Sequence, residues 1–343
     1  MHDEYLRLEI ELLAFIRAEG AGRDFGALAL AIHRFQRRWN QPLANFSATR
    51  PEPRDWREIP AVPQSAFKHF TLSVAPPELI AKTFHTSGTA GEGCGQHPFV
   101  STRLYEDAVR AGWARLALPK RPHLVLVPHP ADAPHSSLSH MLSALAPLAT
   151  ETRWFIEASG RLRGDFAEAL ADAERHGEPV LLLGTALAFL HVFEALGARR
   201  FRLPAGSFAM ETGGFKGSAR DISKAELYAR FGDFLDLGPD AVFNEYGMTE
   251  LSSQFYTHGL GRPHHGPPWL RAIVFDPETG AEVAVGASGV LRLFDLANLG
   301  STIALETQDL AIRREHGFEL LGRDPGALPR GCSRRADEQM QGR

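Results

Sequence analysis

Residues 4–18, EYLRLEIELLAFIRA, alternate polar and apolar positions with a helical period, and Leu6, Ile10 and Leu13 fall on one stripe flanked by Leu12 and Ile16. The spacing predicts a packing helix here and a second from about Phe25 to Trp39. The proline-punctuated stretch that follows, PEPRDWREIPAVPQSAF (51–67), predicts an extended connection. Further on, LYEDAVRAGWARLAL (104–118) returns to a helical period.

From there the pattern changes to short, continuously apolar runs. HLVLVP (123–128), PVLLLGT (179–185), SFAMETGG (207–214) and AVFNEYG (241–247) each read as a buried strand leading into a loop. Between them lie SLSHMLSALAPLA, DFAEALADAERHG, ALAFLHVFEALGA and SKAELYARFGDFL, all with helical spacing. This alternation predicts an α/β fold, a mostly parallel sheet flanked by helices. After residue 265 the runs are separated by Asp-Pro-Glu-Thr-Gly and Gly-Ala-Ser-Gly turns, as expected of a small β-rich subdomain. The expected organisation is a helical segment (1–50), an α/β core (51–265), the β-rich subdomain (266–322) and a C-terminal tail (323–343).

Composition narrows the function classes. The chain has 343 residues, 44% hydrophobic and 23% charged, enough to build a sizeable core. A net charge of −4 leaves no basic footprint for nucleic acid, although Arg330, Arg334 and Arg335 make a local basic patch. Two distant cysteines, Cys94 and Cys332, do not suggest a disulfide framework. The start MHDEYLRLEIELLAFIRAEG lacks the basic opening of a signal peptide, and no apolar run reaches the roughly 18 residues of a membrane span. A cytoplasmic protein is expected.

Two polar segments carry the candidate chemistry. FHTSGTAGEGCGQ (84–96) combines glycines with hydroxyls; such a run can present N–H and O–H donors to phosphate, or simply turn. It is not a Walker loop, since no Lys follows the glycines, and its glycine spacing differs from the dinucleotide fingerprint. NEYGMTELSSQFY (244–256) brings together an aromatic ring able to stack on a base, a hydroxyl for a phosphate and a carboxylate for Mg²⁺. The same segment also reads as a strand end followed by a capped helix. The histidines of HPADAPHSSLSH (129–140) and RPHHGPP (262–268) match no standard zinc spacing and read as loop or pocket residues. His129, at the C-terminal end of an expected strand, stands where α/β sheets place their ligands.

Together these segments resemble a family. Thr86-Ser87-Gly88-Thr89-Ala90-Gly91 resembles the phosphate loop of adenylate-forming enzymes, and Tyr246-Gly247-Met248-Thr249-Glu250 resembles their YGxTE motif. Thr307-Gln308-Asp309 is similar to their T-x-D, and Gly322-Arg323-Asp324 to their hinge motif, in the same order along the chain. IPAVPQSAFK (59–68), METGGFKG (210–217) and RGCS (330–333) look like the LuxE-type acyl-protein synthetases within that superfamily.

The resemblance implies the N-terminal domain fold of adenylate-forming enzymes, with the mobile C-terminal domain missing or vestigial. It implies activation of a carboxylic acid, a fatty acid by family likeness, with ATP and Mg²⁺, and transfer of the acyl group to a protein thiol. Carried over residue by residue, Thr86, Ser87, Gly88, Thr89 and Gly91 would hold the β- and γ-phosphates, Thr249 the α-phosphate and Glu250 the metal. Tyr246 with Gly247, and Gly213 with Gly214 opposite, would enclose adenine; Asp309 and Arg323 would fix the ribose. Cys332, among arginines that favour the thiolate, would carry the acyl group, or is an inert terminal cysteine. Cys94 reads as incidental.

The chain departs from the superfamily pattern in having no Lys in the Glu92–Gln96 segment and no C-terminal catalytic Lys; Lys216 is the candidate substitute, or a solvated loop lysine. The implied partner is an acyl-acceptor protein such as an acyl-CoA or fatty-acid reductase or a carrier protein. Two alternatives stay open: an acyl- or aryl-CoA or carrier-protein ligase of the phenylacetate-CoA ligase type, and a non-catalytic nucleotide-binding subunit of a reductase complex.

Overall fold

A computed structural model describes residues 1–86, 93–213, 222–323 and 340. The chain divides into two compact units. The first comprises residues 1–115, 248–254 and 263 onward; the second comprises 116–247 and 255–262.

The first unit opens with helices α1 (His2–Arg17), α2 (Phe25–Trp39) and α3 (Gln41–Ser47). Asp24 caps α2 by accepting the Ala27 N–H at 2.8 Å, which satisfies one of the orphan donors at a helix start. The expected stripe on α1 is shifted in phase. Ile10 is 64% and Leu6 39% exposed, whereas Leu13 and the flanking Leu12 and Ile16 are buried as expected, together with Tyr5, Leu8 and Phe15. The buried set recurs at i+3 and i+4 and includes two large aromatic rings, so burying it removes more apolar surface from water.

The proline-rich stretch also departs from the extended connection expected. It holds a short 3₁₀ turn at Trp56–Glu58 closed by an Asp55–Glu58 capping box, a strand β1 (Val62–Pro63) and a second 3₁₀ turn at Gln64–Lys68. Trp56 and Phe67 are buried, and their burial pins a segment whose ladder pairing is confined to the two residues of β1. Next come β2 (Lys82–His85) and β3 (Gln96–Phe99), an antiparallel hairpin, and α4 (Arg103–Ala114).

The second unit is the expected α/β layer. Its strands are β4 (His123–Pro128), β5 (Thr152–Ile156), β6 (Leu181–Thr185), β7 (Phe208–Thr212), β8 (Val242–Tyr246) and β9 (Phe255–His258). They form one sheet in the order β5-β4-β6-β7-β8-β9, parallel except for β9. Helices α5 (Ser137–Leu145), α6 (Phe166–His176), α7 (Ala186–Leu196) and α8 (Lys224–Leu235) connect the strands. Leu170, Phe189, Phe193 and Phe231 meet Leu124, Leu182 and Ala209 of the strands in one core. Buried on both faces, β4 and β6 carry continuous apolar runs instead of an alternation.

The β-rich part belongs to the first unit. Strands β10 (Leu270–Phe275), β11 (Ser288–Asp295), β12 (Ala304–Arg313) and β13 (Phe318–Arg323) form an antiparallel set, and β1 adds to β12 in parallel. No helix among the described residues is long and apolar enough to cross a membrane.

Candidate functional site

In the first unit the base of the glycine-rich loop is a clamped hairpin. Beyond the last β2–β3 pair, His85 with Gln96, the Thr86 N–H donates to the Gly95 carbonyl at 2.9 Å, and the Gly95 N–H donates to Thr86 Oγ1 at 2.8 Å. Glycine at 95 eases a close approach: a methyl group there would stand 3.1 Å from the Thr86 side chain and 3.3 Å from the Phe67 backbone, so these neighbours would have to give by a few tenths of an ångström. Thr86 is thus committed to shaping the loop's base. Ser87, Gly88, Thr89 and Gly91 lie outside the described residues, as do Gly214, Lys216, Asp324 and Cys332.

Thr249 and Glu250 sit in a turn closed by the Leu251 N–H on the Met248 carbonyl at 3.0 Å. Thr249 Oγ1 lies 3.5 Å from the His85 carbonyl, which places the hydroxyl beside the end of β2. The Glu250 carboxyl is buried, and desolvation pushes its pKa from 4.5 up to about 7. Its own backbone N–H, the Gln64 side chain and the Arg323 charge favour ionisation, and the Asp309 charge opposes it.

Asp309 and Arg323 face each other in register on β12 and β13, with Nε and Oδ1 3.6 Å apart. The register shifts next to them, between Leu310 and Ala311, and Gly322 on the facing strand takes φ +109°, a region glycine enters readily. Thr307 of the same motif is buried; its hydroxyl donates to the Leu291 carbonyl and accepts from the Asp309 N–H. One sequence-predicted carboxylate, Glu250, therefore shares its electrostatic surroundings with the predicted pair Asp309 and Arg323, although 59 and 73 positions separate them in the chain.

A buried polar lattice behind this turn escaped the sequence reading. Asp295 accepts from the Ser252 N–H, the Ser253 hydroxyl and the Ala297 N–H at 2.8, 2.8 and 3.0 Å. Burial still holds its pKa up to about 6. Asn298 donates to the Glu250 carbonyl at 2.7 Å and accepts from Ser252 Oγ at 2.6 Å. Gln36 donates to the Asn298 and Leu299 carbonyls, and Asn40 to the Ser301 carbonyl. His97 reaches the Thr249 carbonyl through Nδ1 and Ser301 Oγ through Nε2, each at 2.8 Å. Desolvation lowers its pKa to about 4, so the ring is neutral. The available signal was polar residues inside the apolar run LRLFDLANLG, where burial requires partners.

In the second unit, Tyr246 ends β8 and is 8% exposed, its ring centroid 6.1 Å from that of Phe255. Gly247 follows it, and Gly213 follows the C-terminal end of β7 with φ +76°. Ligands of parallel α/β sheets gather at these strand ends. Two buried acids accompany them. Glu211 is held by the Tyr228 hydroxyl at 3.2 Å and by Lys224 Nζ at 3.4 Å; burial raises its pKa. The Thr212 hydroxyl donates to Glu245, whose pKa is pushed from 4.5 to about 7 by desolvation, with the Glu211 charge adding to the rise. His129 lies just past β4, its ring edge-on to Trp154 at 5.1 Å and its Nδ1 accepting the Ala131 N–H. No cluster of three or more potential metal ligands occurs among the described residues. Cys94 is exposed.

The Glu245 shift has a measurable consequence. A carboxyl whose folded pKa exceeds its unfolded one stabilises fully below pH 4.5, and the contribution is lost as pH rises through 7. Glu245→Gln keeps an acceptor for Thr212 without the charge. The variant should match the parent near pH 4.5 and exceed it by about 3 kcal/mol at about pH 8.5, from roughly 1.4 kcal/mol per pKa unit. Urea unfolding at both pH values reads this, and a pH-independent difference would contradict the assignment.

The geometry can be set beside known proteins. A family model described as acyl-protein synthetase, LuxE, matches residues 53–341. A long-chain-fatty-acid–luciferin-component ligase of Aliivibrio fischeri is 29% identical over 105 residues, 30% of this chain and 28% of the relative. Among solved structures, 2-hydroxyisobutyryl-CoA ligase in the postadenylation state with 2-HIB-AMP superposes with TM-score 0.64 at 12% identity, covering 87% of this chain and 67% of that one. McyG A-PCP complexed with phenylalanyl-adenylate gives TM-score 0.52 at 16% identity, over 73% and 42%. ATP-bound MatB from Rhodopseudomonas palustris gives 0.50 at 17%, over 71% and 48%. At these identities the structural likeness is one of fold, and it bears out the expected adenylate-forming α/β architecture. The chain spans 28% of the curated relative and about half of the MatB chain.

Proposed function

Because the chain belongs to the acyl-protein synthetase LuxE family, we propose that it activates a carboxylic acid with ATP as acyl-AMP and passes the acyl group to a protein cysteine. A fatty acid is the substrate class the family name favours. The observation that carries this reading is the grouping of Glu250, Asp309 and Arg323 in one electrostatic neighbourhood, with Thr249 beside the hairpin that bears the glycine loop.

The chemistry asks little of acid–base groups. A carboxylate oxygen attacks the α-phosphorus, the bond to the β-phosphate breaks, and pyrophosphate leaves with the electron pair. The acid is already ionised near neutral pH, so no base is needed; the obstacle is repulsion between anions and charge build-up at phosphorus. Thr249 would donate to the α-phosphate, and Arg323 with Asp309 would hold the ribose. The glycine-loop residues Ser87, Gly88, Thr89 and Gly91 would take the outer phosphates, with Thr86 setting the loop's base. Tyr246 with Gly247, and Gly213 with Gly214, would flank adenine; Lys216 would supply a cation. The donor set fits Mg²⁺: Glu250 offers a buried hard oxygen, and this ion typically takes one or two carboxylates plus substrate phosphates. Bound there, it would supply positive charge against the phosphates. In the second half-reaction a thiolate, that of Cys332, attacks the acyl carbon, and AMP departs with the electron pair of the broken C–O bond.

The test is exchange of labelled pyrophosphate into ATP across a panel of saturated fatty, short-chain and aryl acids. Exchange that depends on one acid class is expected. No exchange with any acid, together with no binding of Mg·ATP, would refute an adenylating function and leave a scaffold.

A further inference from the structure

Resting on the nucleotide reading above, we propose that His97 is a positioning residue. Held as the Nδ1–H tautomer between Thr249 and Ser301, it fixes the Thr249–Glu250 turn against the hairpin that carries the glycine loop.

His97 lies on β3, two positions beyond Gly95, and is 1% exposed. Its Nδ1 meets the Thr249 carbonyl at 2.8 Å. A carbonyl only accepts, so Nδ1 must carry the proton. A neutral ring with Nδ1 protonated has Nε2 as an acceptor, and the hydroxyl of Ser301, 2.8 Å away, must therefore donate to it. Both hydrogen bonds are thereby directed, and the tautomer is fixed by its neighbours.

The far end of this chain of hydrogen bonds is anchored. Ser301 is fully buried and its carbonyl accepts from Asn40 Nδ2 at 3.0 Å; Asn40 Oδ1 in turn caps α3 through the Leu43 N–H. The ring itself is set edge-on against Phe67, with centroids 5.3 Å apart at 77°. Phe67 lies in the 3₁₀ turn whose first residue, Gln64, bonds the Glu250 carboxyl. The IPAVPQSAFK segment and His97 thus support the Thr249–Glu250 turn from two sides, one at its carboxyl and one at its carbonyl. A buried polar side chain bonded at both ends costs desolvation that an apolar residue would avoid. What it provides here is a fixed distance between the loop's base and the two residues assigned to the α-phosphate and the metal.

Two amides separate positioning from packing. Asn places its amide where Nδ1 lies, so His97→Asn keeps the donor to Thr249; Gln reaches instead to the Nε2 position, so His97→Gln keeps Ser301 and loses Thr249. Calorimetric titration of the full chain with ATP, with and without Mg²⁺, reads the effect independently of turnover. His97→Gln should weaken Mg·ATP binding by about tenfold or more, with metal-free ATP binding changed far less and thermal midpoints close to those of the Asn variant. His97→Asn should stay within about threefold of the parent. Equal behaviour of the two variants, whether both intact or both weakened, would overturn the proposal. Should His97→Gln not fold, Ser301→Ala removes the donor to Nε2 while leaving the ring. It should weaken Mg·ATP binding by about threefold or more, and unchanged binding would overturn the proposal equally. A parent protein that neither binds Mg·ATP nor exchanges pyrophosphate would overturn the nucleotide reading itself, and this inference with it.

Discussion

Glu250→Gln should lower acid-dependent pyrophosphate exchange by about 10²–10³-fold, equivalent to roughly 3–4 kcal/mol of lost transition-state stabilisation. The substitution keeps the side chain's shape and its capacity to accept from the backbone and from Gln64, and removes only the charge. That charge is the one carboxylate the reading assigns to the metal, in a place where burial makes ionisation costly without a cation. Loss of fold would mimic loss of chemistry, and the same physics separates them. Deleting a buried negative charge removes a desolvation cost, so the variant should be at least as stable as its parent near neutral pH while far less active. Exchange within about threefold of the parent, in a stable variant, would move the metal assignment elsewhere. Exchange lost together with stability would say that Glu250 holds the turn and would leave its role in chemistry without support.

The strands and helices of the second unit were readable because burial there follows simple periods. HLVLVP is β4 over the same six residues, and the helices between strands match their amphipathic stretches to within a few positions. Two strands were not readable. β5, TRWFI, is only partly buried along most of its length and carries an arginine, and β9 is a four-residue antiparallel edge that begins five positions after Glu250. Neither offers a long apolar run. On α1 the period was right and its phase shifted. Apolar residues stand on nearly all sides of that helix, and only packing against neighbours decides which of them face inward.

The motif residues were legible for a different reason. Thr249, Glu250, Asp309 and Arg323 sit in short polar patterns whose order along the chain is distinctive, so resemblance found them. The residues that hold these groups have no such pattern. His97, Gln64, Asn298 and Asp295 act through backbone carbonyls, N–H groups and single side-chain contacts that join segments far apart in sequence. A one-dimensional reading can notice that a polar residue interrupts an apolar run. It cannot say which distant carbonyl will satisfy it. Glu245 and Glu211 belong to the same class: each looks like an ordinary acid at the end of an apolar run, and only burial at adjacent strand ends makes them interact.

Cys332→Ala should abolish covalent acyl labelling of the chain while leaving pyrophosphate exchange unchanged. The two half-reactions use different groups. Exchange needs only the carboxylate, ATP and the residues around the phosphates, because it reports reversal of acyl-AMP formation. Retention of label on denatured protein needs a nucleophile in the chain. Of its two cysteines, Cys332 stands in Arg-Gly-Cys-Ser-Arg-Arg, a sequence whose arginines would favour the thiolate, and Cys94 stands in the glycine-rich segment. A thioester is cleaved by neutral hydroxylamine and an amide is not, so label released by that reagent from the parent, and absent from Cys332→Ala, identifies the bond as well as the residue. Label that persists in Cys332→Ala and disappears in Cys94→Ala would reassign the nucleophile. Exchange without label in the parent, with acyl-CoA formed on adding CoA, would identify the acceptor as a small thiol and place the chain among CoA ligases.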